Sequence, residues 1–375
     1  MKRKIKLGFI GTGDMAVTHT RDLMQFSEDC EITGICDTSN ERMDSYNQLF
    51  RIAAQKHADY KDLLSDKDID AVIICSPNYL HMEHACAAFA AGKHVLLQKP
   101  MALTPCECDR IIEASEKAGK VLQVGLVYRY SKLFRTMKEI IKSGRIGEPL
   151  MAWCHEFRVP FPIGREREWR YSQELSGGSL VEKDCHHFDL FQWMLGALPV
   201  AAHAFGGQII VKEEGAVKPG VPGEPYTFAK DNINNIIDHA WVNIEFERNK
   251  TANLGLCLFT ADRNLPLGVI GEKGWIEADV QQNKFRIFDG HAGHVEEVKP
   301  NKLSHELADG LRDFGHSGGA LEVFEFINCV RDNRKAFCDG KIGKESLYAA
   351  LAAELSIKEK RVVAVSEVLM RPVAH

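Results

Sequence analysis

The sequence of 375 residues predicts an α/β protein of two domains, with a doubly wound parallel sheet first and an open antiparallel sheet second. Three observations lead to this fold class. Up to about residue 124, short apolar runs alternate with amphipathic stretches of helical length. A glycine-rich turn separates the first apolar run from the first of these stretches. Beyond that point the runs become longer, rich in β-forming residues and joined by turn residues.

The N-terminal third is expected to alternate strand and helix. The predicted strands are Ile5–Ile10, Glu31–Cys36, Ala71–Cys75, His94–Leu97 and Val121–Val124. The predicted helices between them are Met15–Phe26, Asn40–Phe50, His81–Ala91 and Thr104–Ala118. The run Ala71–Cys75 is apolar at every position, which is typical of strands buried on both faces. Alternation at this spacing predicts a parallel sheet with helices on both faces.

The rest of the chain is expected to be mostly strand, with a domain boundary near residue 125. One helix is expected at Lys132–Lys142, where Gly144 ends it. The predicted strands are Leu150–Phe157, Ala201–Val211, Asp238–Glu247, Ala252–Thr260, Trp275–Val280 and Lys284–Phe288. Turns at Arg248-Asn249-Lys250 and Gln282-Asn283 predict antiparallel hairpins. The predicted tail elements are the helices Ala320–Asn333 and Lys344–Glu359 and the strand Arg361–Val365.

Composition and charge disfavour several classes of protein. The chain is 45% hydrophobic and 26% charged, which is typical of a globular protein. Its net charge of -5 arises from mixed acids and bases, so neither nucleic acid nor a membrane surface is an expected partner. No apolar run approaches the length of about eighteen residues that a membrane span needs. Eleven cysteines without paired spacing predict reduced thiols and a cytoplasmic location.

The glycine-rich turn after the first strand predicts a dinucleotide site. Gly11 permits the tight turn, Gly13 lets backbone approach a pyrophosphate, and the small Ala16 lets helix and strand pack closely. Asp37 ends the second strand, where it can accept hydrogen bonds from ribose hydroxyls and favour NAD. Arg42 could instead contact a 2′-phosphate, so NADP stays open, and a turn without a ligand is the alternative. The cofactor-binding residues predicted from this motif are Gly11, Thr12, Gly13, Asp14, Met15, Asp37 and Arg42.

Two further segments follow buried strands. Ser76-Pro77-Asn78 with His81 follows the third predicted strand, and Gln98-Lys99-Pro100 follows the fourth. For the first segment the alternative is a strand-to-helix turn capped by its asparagine, and for the second a solvated surface lysine. Because ligands bind at the carboxyl ends of parallel strands, the residues expected to face the cofactor are Ser76, Pro77, Asn78, His81, Gln98 and Lys99.

A group of polar residues begins an otherwise apolar helix, which is expected to run from Glu182 to Met194. Glu182 and His186 are four residues apart and share one stripe of this helix, and Lys183 with His187 forms an adjacent stripe. A lysine, a carboxylate and an imidazole can together handle the proton of a substrate hydroxyl, which indicates a dehydrogenase. A purely structural Glu–His pair is the alternative. The HExxH spacing of zinc sites is absent, so no metal site is predicted.

These motifs together resemble the family of glucose–fructose oxidoreductase, inositol dehydrogenase and the rhizopine catabolism protein, Gfo/Idh/MocA. The resemblance covers nearly the whole chain and includes Val124-Gly125-x-x-Tyr128-Arg129, Gly271-x-x-Gly274 and Gly315-His316-x-Gly318-Gly319. It implies a Rossmann domain at residues 1–125 and an α/β domain with a large, open, mostly antiparallel sheet at residues 126–375. It also implies NAD(P)-dependent oxidation or reduction of a sugar, cyclitol or derivative. Because that sheet commonly forms an oligomer interface, a homo-oligomer (dimer or tetramer) is expected.

The resemblance also implies roles for individual residues. By position, Lys99 matches the lysine that contacts nicotinamide ribose and substrate, His186 matches the catalytic histidine, and Glu182 takes the place of the usual aspartate. Gln98 departs from the commoner glutamate. Lys183 and His187 also depart from the family pattern, because they put polar groups where apolar or small residues are usual. The residues expected to bind the substrate are Arg129, Trp169, Tyr171, Lys183 and His187.

Three hypotheses about function follow. The first is hydride transfer between a nicotinamide cofactor and a secondary hydroxyl, in which His186 takes the proton and Lys99 stabilises the alkoxide. The second is an NAD-retaining glycoside hydrolase or lyase that oxidises the sugar transiently, with Lys183 and His187 as additional acid and base. The third is a non-catalytic, sugar-sensing regulator, which the presence of both Lys99 and His186 disfavours.

Overall fold

A computed structural model describes residues 3–159, 165–210, 216–217, 225–226, 234–260, 263–290, 294–298 and 318–370. Gly315 and His316 of the motifs above lie outside these residues, as does Val211 at the end of one expected strand. The chain divides into two compact units. The first comprises the described residues of Met1–Ser131 and Ala308–Lys344, and the second those of Lys132–Leu307 and Glu345–His375.

Strands and helices of the described residues are numbered in chain order. The strands are β1 (Ile5–Ile10), β2 (Cys30–Cys36), β3 (Gln55–His57), β4 (Ala71–Ile74), β5 (His94–Leu97), β6 (Leu122–Val124), β7 (Pro149–Phe157), β8 (Pro199–Gly207), β9 (Ala216–Val217), β10 (Pro225–Tyr226), β11 (His239–Phe246), β12 (Lys250–Cys257), β13 (Pro266–Gly271), β14 (Gly274–Asp279), β15 (Lys284–Asp289), β16 (His294–Val298) and β17 (Val363–Ala364). The helices are α1 (Asp14–Leu23), α2 (Asn40–Phe50), α3 (Tyr60–Ser65), α4 (His81–Ala90), α5 (Pro105–Ala118), α6 (Lys132–Lys142), α7 (Gln173–Ser176), α8 (Ser179–Glu182), α9 (Cys185–Leu195), α10 (Gly319–Asp332), α11 (Gly340–Glu345), α12 (Tyr348–Glu359) and α13 (Val365–Leu369).

The sheet of the first unit is parallel throughout. Within the described residues it has six strands in the order β3-β2-β1-β4-β5-β6. This is the strand order of a doubly wound dinucleotide-binding sheet, in which the direction of winding reverses between β1 and β4. Strands β4 and β5 are buried at every position, as their apolar sequences predict. The doubly wound sheet expected from the sequence is therefore confirmed.

The carboxyl ends of β1, β4 and β5 lie side by side. Ile10 is in register with Ile74, and Ile74 is in register with Leu97. The segments that leave these strands are the glycine turn, the Ser76 segment and the Lys99 turn. All three therefore begin at one edge of the same sheet.

The second unit contains a larger and mostly antiparallel sheet, as expected. In the part of the chain that is described, its nine strands have the order β16-β15-β14-β13-β7-β12-β11-β8-β17. Only the β7–β12 pair is parallel among these neighbours. The predicted hairpins are confirmed, and their turns contain Arg248, Asn249 and Asn283 with positive φ.

Local signals determine where α5 begins and ends. The Thr104 hydroxyl accepts a hydrogen bond from the Glu107 N–H at 3.2 Å, and the Glu107 carboxylate accepts one from the Thr104 N–H at 2.9 Å. This capping box places Pro105 in the first turn, where its missing N–H costs nothing. Gly119 then ends the helix with a φ of 61°.

Several elements differ from the expectations. The sequence patterns did not predict β3, α3, β13 or β16, and the expected helix Lys344–Glu359 is divided between α11 and α12. The expected strand Arg361–Val365 pairs only over β17. The Glu367 carboxylate accepts a hydrogen bond from the Ala364 N–H at 2.9 Å, so α13 begins at the next residue. Among the described helices, none is long and apolar enough to cross a bilayer.

Candidate active site

Backbone strain and close packing account for glycine at position 11. Gly11 has a φ of 92°, a conformation that residues with a side chain rarely adopt. A Cβ at this position would lie 2.7 Å from the carbonyl oxygen of Cys75, the residue that follows β4. The turn after β1 therefore passes directly against the end of β4.

The other glycine of the turn faces open space. Gly13 has a φ of -75°, which any residue can adopt, and an added Cβ would meet no protein atom within 4 Å. Gly13 is the N-cap residue of α1 and has no side chain that could accept a hydrogen bond from the first N–H groups of the helix. Asp14 and Met15 follow in the first turn, and Ala16 is fully buried. This arrangement fits an anionic group such as a pyrophosphate.

Asp37 joins the end of β2 to the glycine turn. One carboxylate oxygen accepts hydrogen bonds from the Thr12 N–H and hydroxyl, both at 2.9 Å. The other accepts the Ser39 N–H at 2.9 Å and the Arg42 guanidinium, whose Nη2 lies 3.0 Å away. Arg42 is therefore held beside the carboxylate that would bind a ribose.

The His81 ring lies within hydrogen-bonding distance of two of the predicted cofactor segments. Its Nδ1 lies 2.7 Å from the Pro100 carbonyl oxygen and its Nε2 lies 3.0 Å from the Ser76 carbonyl oxygen. Burial lowers the pKa of His81 to about 4, so the ring is neutral and donates from one nitrogen only. Asn78 is buried and begins a short 3₁₀ turn after Pro77. The residue that caps α4 is Leu80, so the alternative of an asparagine cap is wrong.

Lys99 leaves β5 at the same edge of the sheet. It is partly exposed and is joined to Pro100 by a cis peptide bond. Gln98, just before it, is buried, and its side-chain nitrogen lies 2.5 Å from Nε2 of His19 in α1. The first unit thus brings the predicted cofactor residues and the lysine together. Arg129 also belongs to this unit, where its guanidinium lies over the Phe337 ring at 5.9 Å.

The helix expected to run from Glu182 to Met194 is interrupted. Glu182 is the last residue of α8, and α9 begins at Cys185, so His186 lies in a second helix. The Asp184 carbonyl accepts the N–H groups of His187 and Phe188 at 2.9 Å, which starts the new helix. The expectation of one continuous helix is therefore wrong, and the four-residue spacing does not place both side chains on one straight stripe.

His186 and Glu182 are both nearly inaccessible to solvent. His186 is 1% exposed and Glu182 is 5% exposed. One Glu182 oxygen lies 3.6 Å from Nε of Arg170, whose guanidinium lies over the half-exposed Trp169 ring at 5.4 Å. Tyr171, in the same short 3₁₀ segment, is 1% exposed. These residues all belong to the second unit.

A buried carboxylate that the sequence patterns did not predict lies beside α9. Glu156 of β7 has no exposed surface, and its carboxylate lies 3.5 Å from Lys183 Nζ, 3.5 Å from His187 Nε2 and 3.6 Å from Arg158 Nη1. Burial alone would raise the Glu156 pKa, but the Coulombic effect of its basic neighbours, Lys183 first, outweighs burial and holds the pKa below its usual value. The strand alternation that puts Cys154 on the buried face also puts Glu156 there, which was the available signal.

A second missed carboxylate holds the other nitrogen of His187. Asp184 Oδ1 lies 2.9 Å from His187 Nδ1, and Asp184 is fully buried. Burial raises the pKa of Asp184, although the hydrogen bond from His187 opposes this. Lys183 and His187, two of the five residues predicted to bind substrate, therefore each lie beside a buried carboxylate.

Comparison with known families agrees with this architecture. Residues 5–126 match the model of an oxidoreductase family with an NAD-binding Rossmann fold, and residues 138–365 match the C-terminal α/β domain of the same family. The chain belongs to the Gfo/Idh/MocA oxidoreductase family. The first unit is accordingly an NAD-binding domain, and the open space at Gly13, the N-cap residue of α1, fits that cofactor.

Relatives with known names include inositol dehydrogenases. The inositol 2-dehydrogenase of Salmonella typhimurium is 34% identical over 192 residues, which are 51% of this chain and 54% of that protein. This chain thus aligns with about half the length of such relatives. The myo-inositol 2-dehydrogenase of Thermotoga maritima is 26% identical over 378 residues, covering 97% of this chain and all of that one. A solved structure of levoglucosan dehydrogenase with NADH has a TM-score of 0.82 at 19% identity, covering 97% and 99% of the two chains.

Proposed function

We propose that this protein is an NAD-dependent dehydrogenase that acts on a secondary hydroxyl of a sugar, cyclitol or derivative. The observation that supports it most is the edge of the first sheet, where the glycine turn follows β1 and Lys99 follows β5, with only β4 between these two strands. The names of its inositol dehydrogenase relatives support a polyol or sugar as the substrate.

In this proposal the residues of the first unit bind NAD. Backbone N–H groups of Gly13, Asp14 and Met15 face the pyrophosphate, and Asp37 accepts the ribose hydroxyls through its remaining lone pairs. The Asp37 charge disfavours a 2′-phosphate, although Arg42 beside it leaves NADP as a possible second cofactor. The residues that line the rest of the cofactor are Ser76, Pro77, Asn78, His81, Gln98 and Lys99.

The catalytic roles follow from the chemistry of the side chains. NAD⁺ supplies the hydride acceptor when bound. His186 takes the hydroxyl proton, Lys99 stabilises the negative charge that develops on the substrate oxygen, and Glu182 orients the imidazole. A well-placed base of this kind contributes roughly 10²–10⁴ in rate. The residues proposed to bind the remaining substrate hydroxyls are Arg129, Trp169, Tyr171, Lys183 and His187.

The test is a panel of polyols, sugars and glycosides, assayed for NADH absorbance and for products by chromatography. We expect net NADH formation with at least one polyol or sugar. Lys99→Met should abolish this turnover and leave NADH affinity within a few-fold, because the substitution removes the cation but not the pyrophosphate site. Lys117→Met, at an exposed position of α5, is the matched control. Loss of turnover and NADH binding together in Lys99→Met would contradict a catalytic role for this lysine.

The alternative is an NAD-retaining glycoside hydrolase or lyase. The observation in its favour is the buried group of Lys183, His187, Glu156 and Asp184, which contains acids and bases beyond those that hydride transfer needs. Cleavage of a glycoside without net NADH in the same panel would support it. NADH binding without turnover of any compound would support a non-catalytic regulator instead.

We also propose a homo-oligomer that assembles through the open face of the second sheet, in the cytoplasm. Phe205, Trp241, Gly255 and His155 are in register across β8, β11, β12 and β7. Phe205 is 65% exposed and Trp241 is 50% exposed, and a large exposed aromatic surface is typical of an interface.

All eleven cysteines lie in the described residues and are free thiols, which fits a reducing compartment.

A further inference from the structure

A buried group of polar side chains lies behind the Lys99 turn. It consists of His19 of α1, Gln98 at the end of β5, Gln123 of β6 and Glu322 of α10. These residues are between 0% and 6% exposed, and all belong to the first unit. We call these four residues the His19 cluster. Of the four, Gln98 alone is among the residues proposed to line the cofactor.

The central contact of the His19 cluster is a short hydrogen bond. The Gln98 side-chain nitrogen can only donate, and it lies 2.5 Å from Nε2 of His19. With the Gln98 amide in this orientation, Nε2 is the acceptor and the ring proton is on Nδ1. Burial lowers the pKa of His19 to about 4, which keeps the ring neutral and able to accept.

Glu322 and Gln123, the other members of the cluster, make no hydrogen bond to the imidazole. Oε2 of Glu322 lies 3.9 Å from His19 Nδ1, too far for a hydrogen bond. Burial, together with the charges of Asp22 and Glu325, raises the Glu322 pKa well above its usual value and so favours the neutral form of this carboxyl. The Gln123 side chain donates to the Glu322 backbone carbonyl at 2.9 Å.

The Gln98–His19 hydrogen bond joins two parts of the proposed site. His19 lies in α1, whose first turn follows Gly13, and Gln98 is bonded covalently to Lys99. Packing holds the Gln98 amide in place, since a Cβ at Gly125 would lie only 2.8 Å from its nitrogen. A displacement of α1 when the pyrophosphate binds would thus be transmitted to the residue before the lysine.

We propose that His19 is a positioning residue that couples cofactor binding at α1 to the placement of Lys99, through the hydrogen bond it accepts from Gln98. This inference rests on the proposed cofactor site and on the proposed role of Lys99. His19 itself touches neither cofactor nor substrate. Through Gln98, His19 holds Lys99 in the position that its proposed catalytic role requires when the dinucleotide is bound.

The first test is a double-mutant cycle on NADH affinity, followed by NADH fluorescence. His19→Leu and Gln98→Leu should each weaken NADH binding by about threefold to tenfold, the range expected for one hydrogen bond. The double variant should bind no more weakly than the worse single variant, because both remove the same bond. His19→Gln should restore the affinity, since its amide oxygen reaches the position of Nε2.

Gln123→Leu is the matched control, because it removes a buried hydrogen bond of the same cluster without touching α1 or the Lys99 turn. It should lower the unfolding temperature about as much as His19→Leu and leave NADH affinity unchanged. Additive losses in the cycle, or an equal loss in the control, would overturn the proposal.

The second test measures Lys99 directly, by trace acetylation and peptide mass spectrometry with and without saturating NADH. NADH should protect Lys99 in the wild type and protect it less in His19→Leu, with recovery in His19→Gln. Equal protection in all three proteins would refute the coupling. Neither test uses a sugar or polyol, so a failure to find a substrate would count against the proposed dehydrogenase alone.

Discussion

Gly11 and Gly13 lie two residues apart in one turn, yet different constraints act on them. At Gly11 the positive φ and the Cys75 carbonyl exclude a side chain within the protein itself. At Gly13 neither the backbone nor any protein atom does so. The remaining reason for glycine there is space for a ligand, as the motif predicts.

Alanine substitution should separate the two constraints. Gly11→Ala should destabilise the first unit by roughly 1–3 kcal/mol, the cost of a strained backbone position. Gly13→Ala should cost less than about 1 kcal/mol, the scale of a changed helix cap, and weaken NADH binding at least tenfold. Thermal unfolding and NADH titration of both variants check this. A Gly13→Ala protein that binds NADH as the wild type does would contradict the proposed pyrophosphate position.

At the scale of the element, α8 receives its cap from a distant helix. Gly178 precedes α8 and has no side chain, so the Glu354 carboxylate of α12 accepts the Leu180 N–H at 3.2 Å instead. A Cβ at Gly178 would lie 2.5 Å from that carboxylate oxygen. Helix α8 leads to Glu182 and then to His186, so this contact helps to place both.

Glu354 should make stability depend on pH. Burial raises its pKa from 4.5 to about 7 in the folded chain. A raised pKa in the folded state means that this group stabilises the protein fully below pH 4.5, and that the stabilisation is lost as the pH rises through 7. Glu354→Gln cannot ionise, so its unfolding temperature relative to the wild type should increase between pH 5 and pH 8.

The matched control for this measurement is Glu113→Gln, at an exposed position of α5. Its unfolding temperature should follow that of the wild type across the same pH range. A Glu354→Gln protein that also follows the wild type would show that this carboxyl titrates normally when the chain is folded.

At the scale of the whole molecule, the open face of the second sheet is the surface to test. The Trp241 ring packs directly over Gly255, where an added Cβ would lie 2.6 Å from the ring. The absence of a side chain at Gly255 therefore leaves space for this ring on the open face. Trp241→Asp should dissociate the proposed oligomer, because a charge in a closed apolar interface is costly. Leu49→Asp, at an exposed position of α2, should have no effect. Light scattering after size exclusion measures both, and a wild-type monomer would refute the proposed assembly.

The periodic features of the fold were predictable from the sequence. β1, α2, β5 and α6 coincide with their predicted ranges because apolar spacing and cap residues act over a few neighbouring positions. The short polar strand β3 was not predictable, since it lacks alternation and, among the described strands, pairs with β2 alone. The break between α8 and α9 was also missed, because helical periodicity continues through Lys183 and Asp184.

The candidate site was predictable only in part. The glycine turn and Lys99 follow predicted strands, and the parallel register then brings them to one edge. The buried partners of the polar residues were not predictable, because they come from segments far away in sequence. Glu156 reaches Lys183 from another element, and Glu322 faces His19 across about three hundred positions.

The sequence by itself determined most of the longer strands and helices, the dinucleotide-binding turn and the family, because these depend on local spacing of apolar, glycine and cap residues. Only the tertiary structure decided which carboxylates surround Lys183 and His187, and how Gln98 is held. Burial makes such groups depend on their partners, and a partner is chosen by packing rather than by spacing along the chain. For example, α10 follows most of the second unit in sequence but packs in the first unit, and this packing brings Glu322 beside His19.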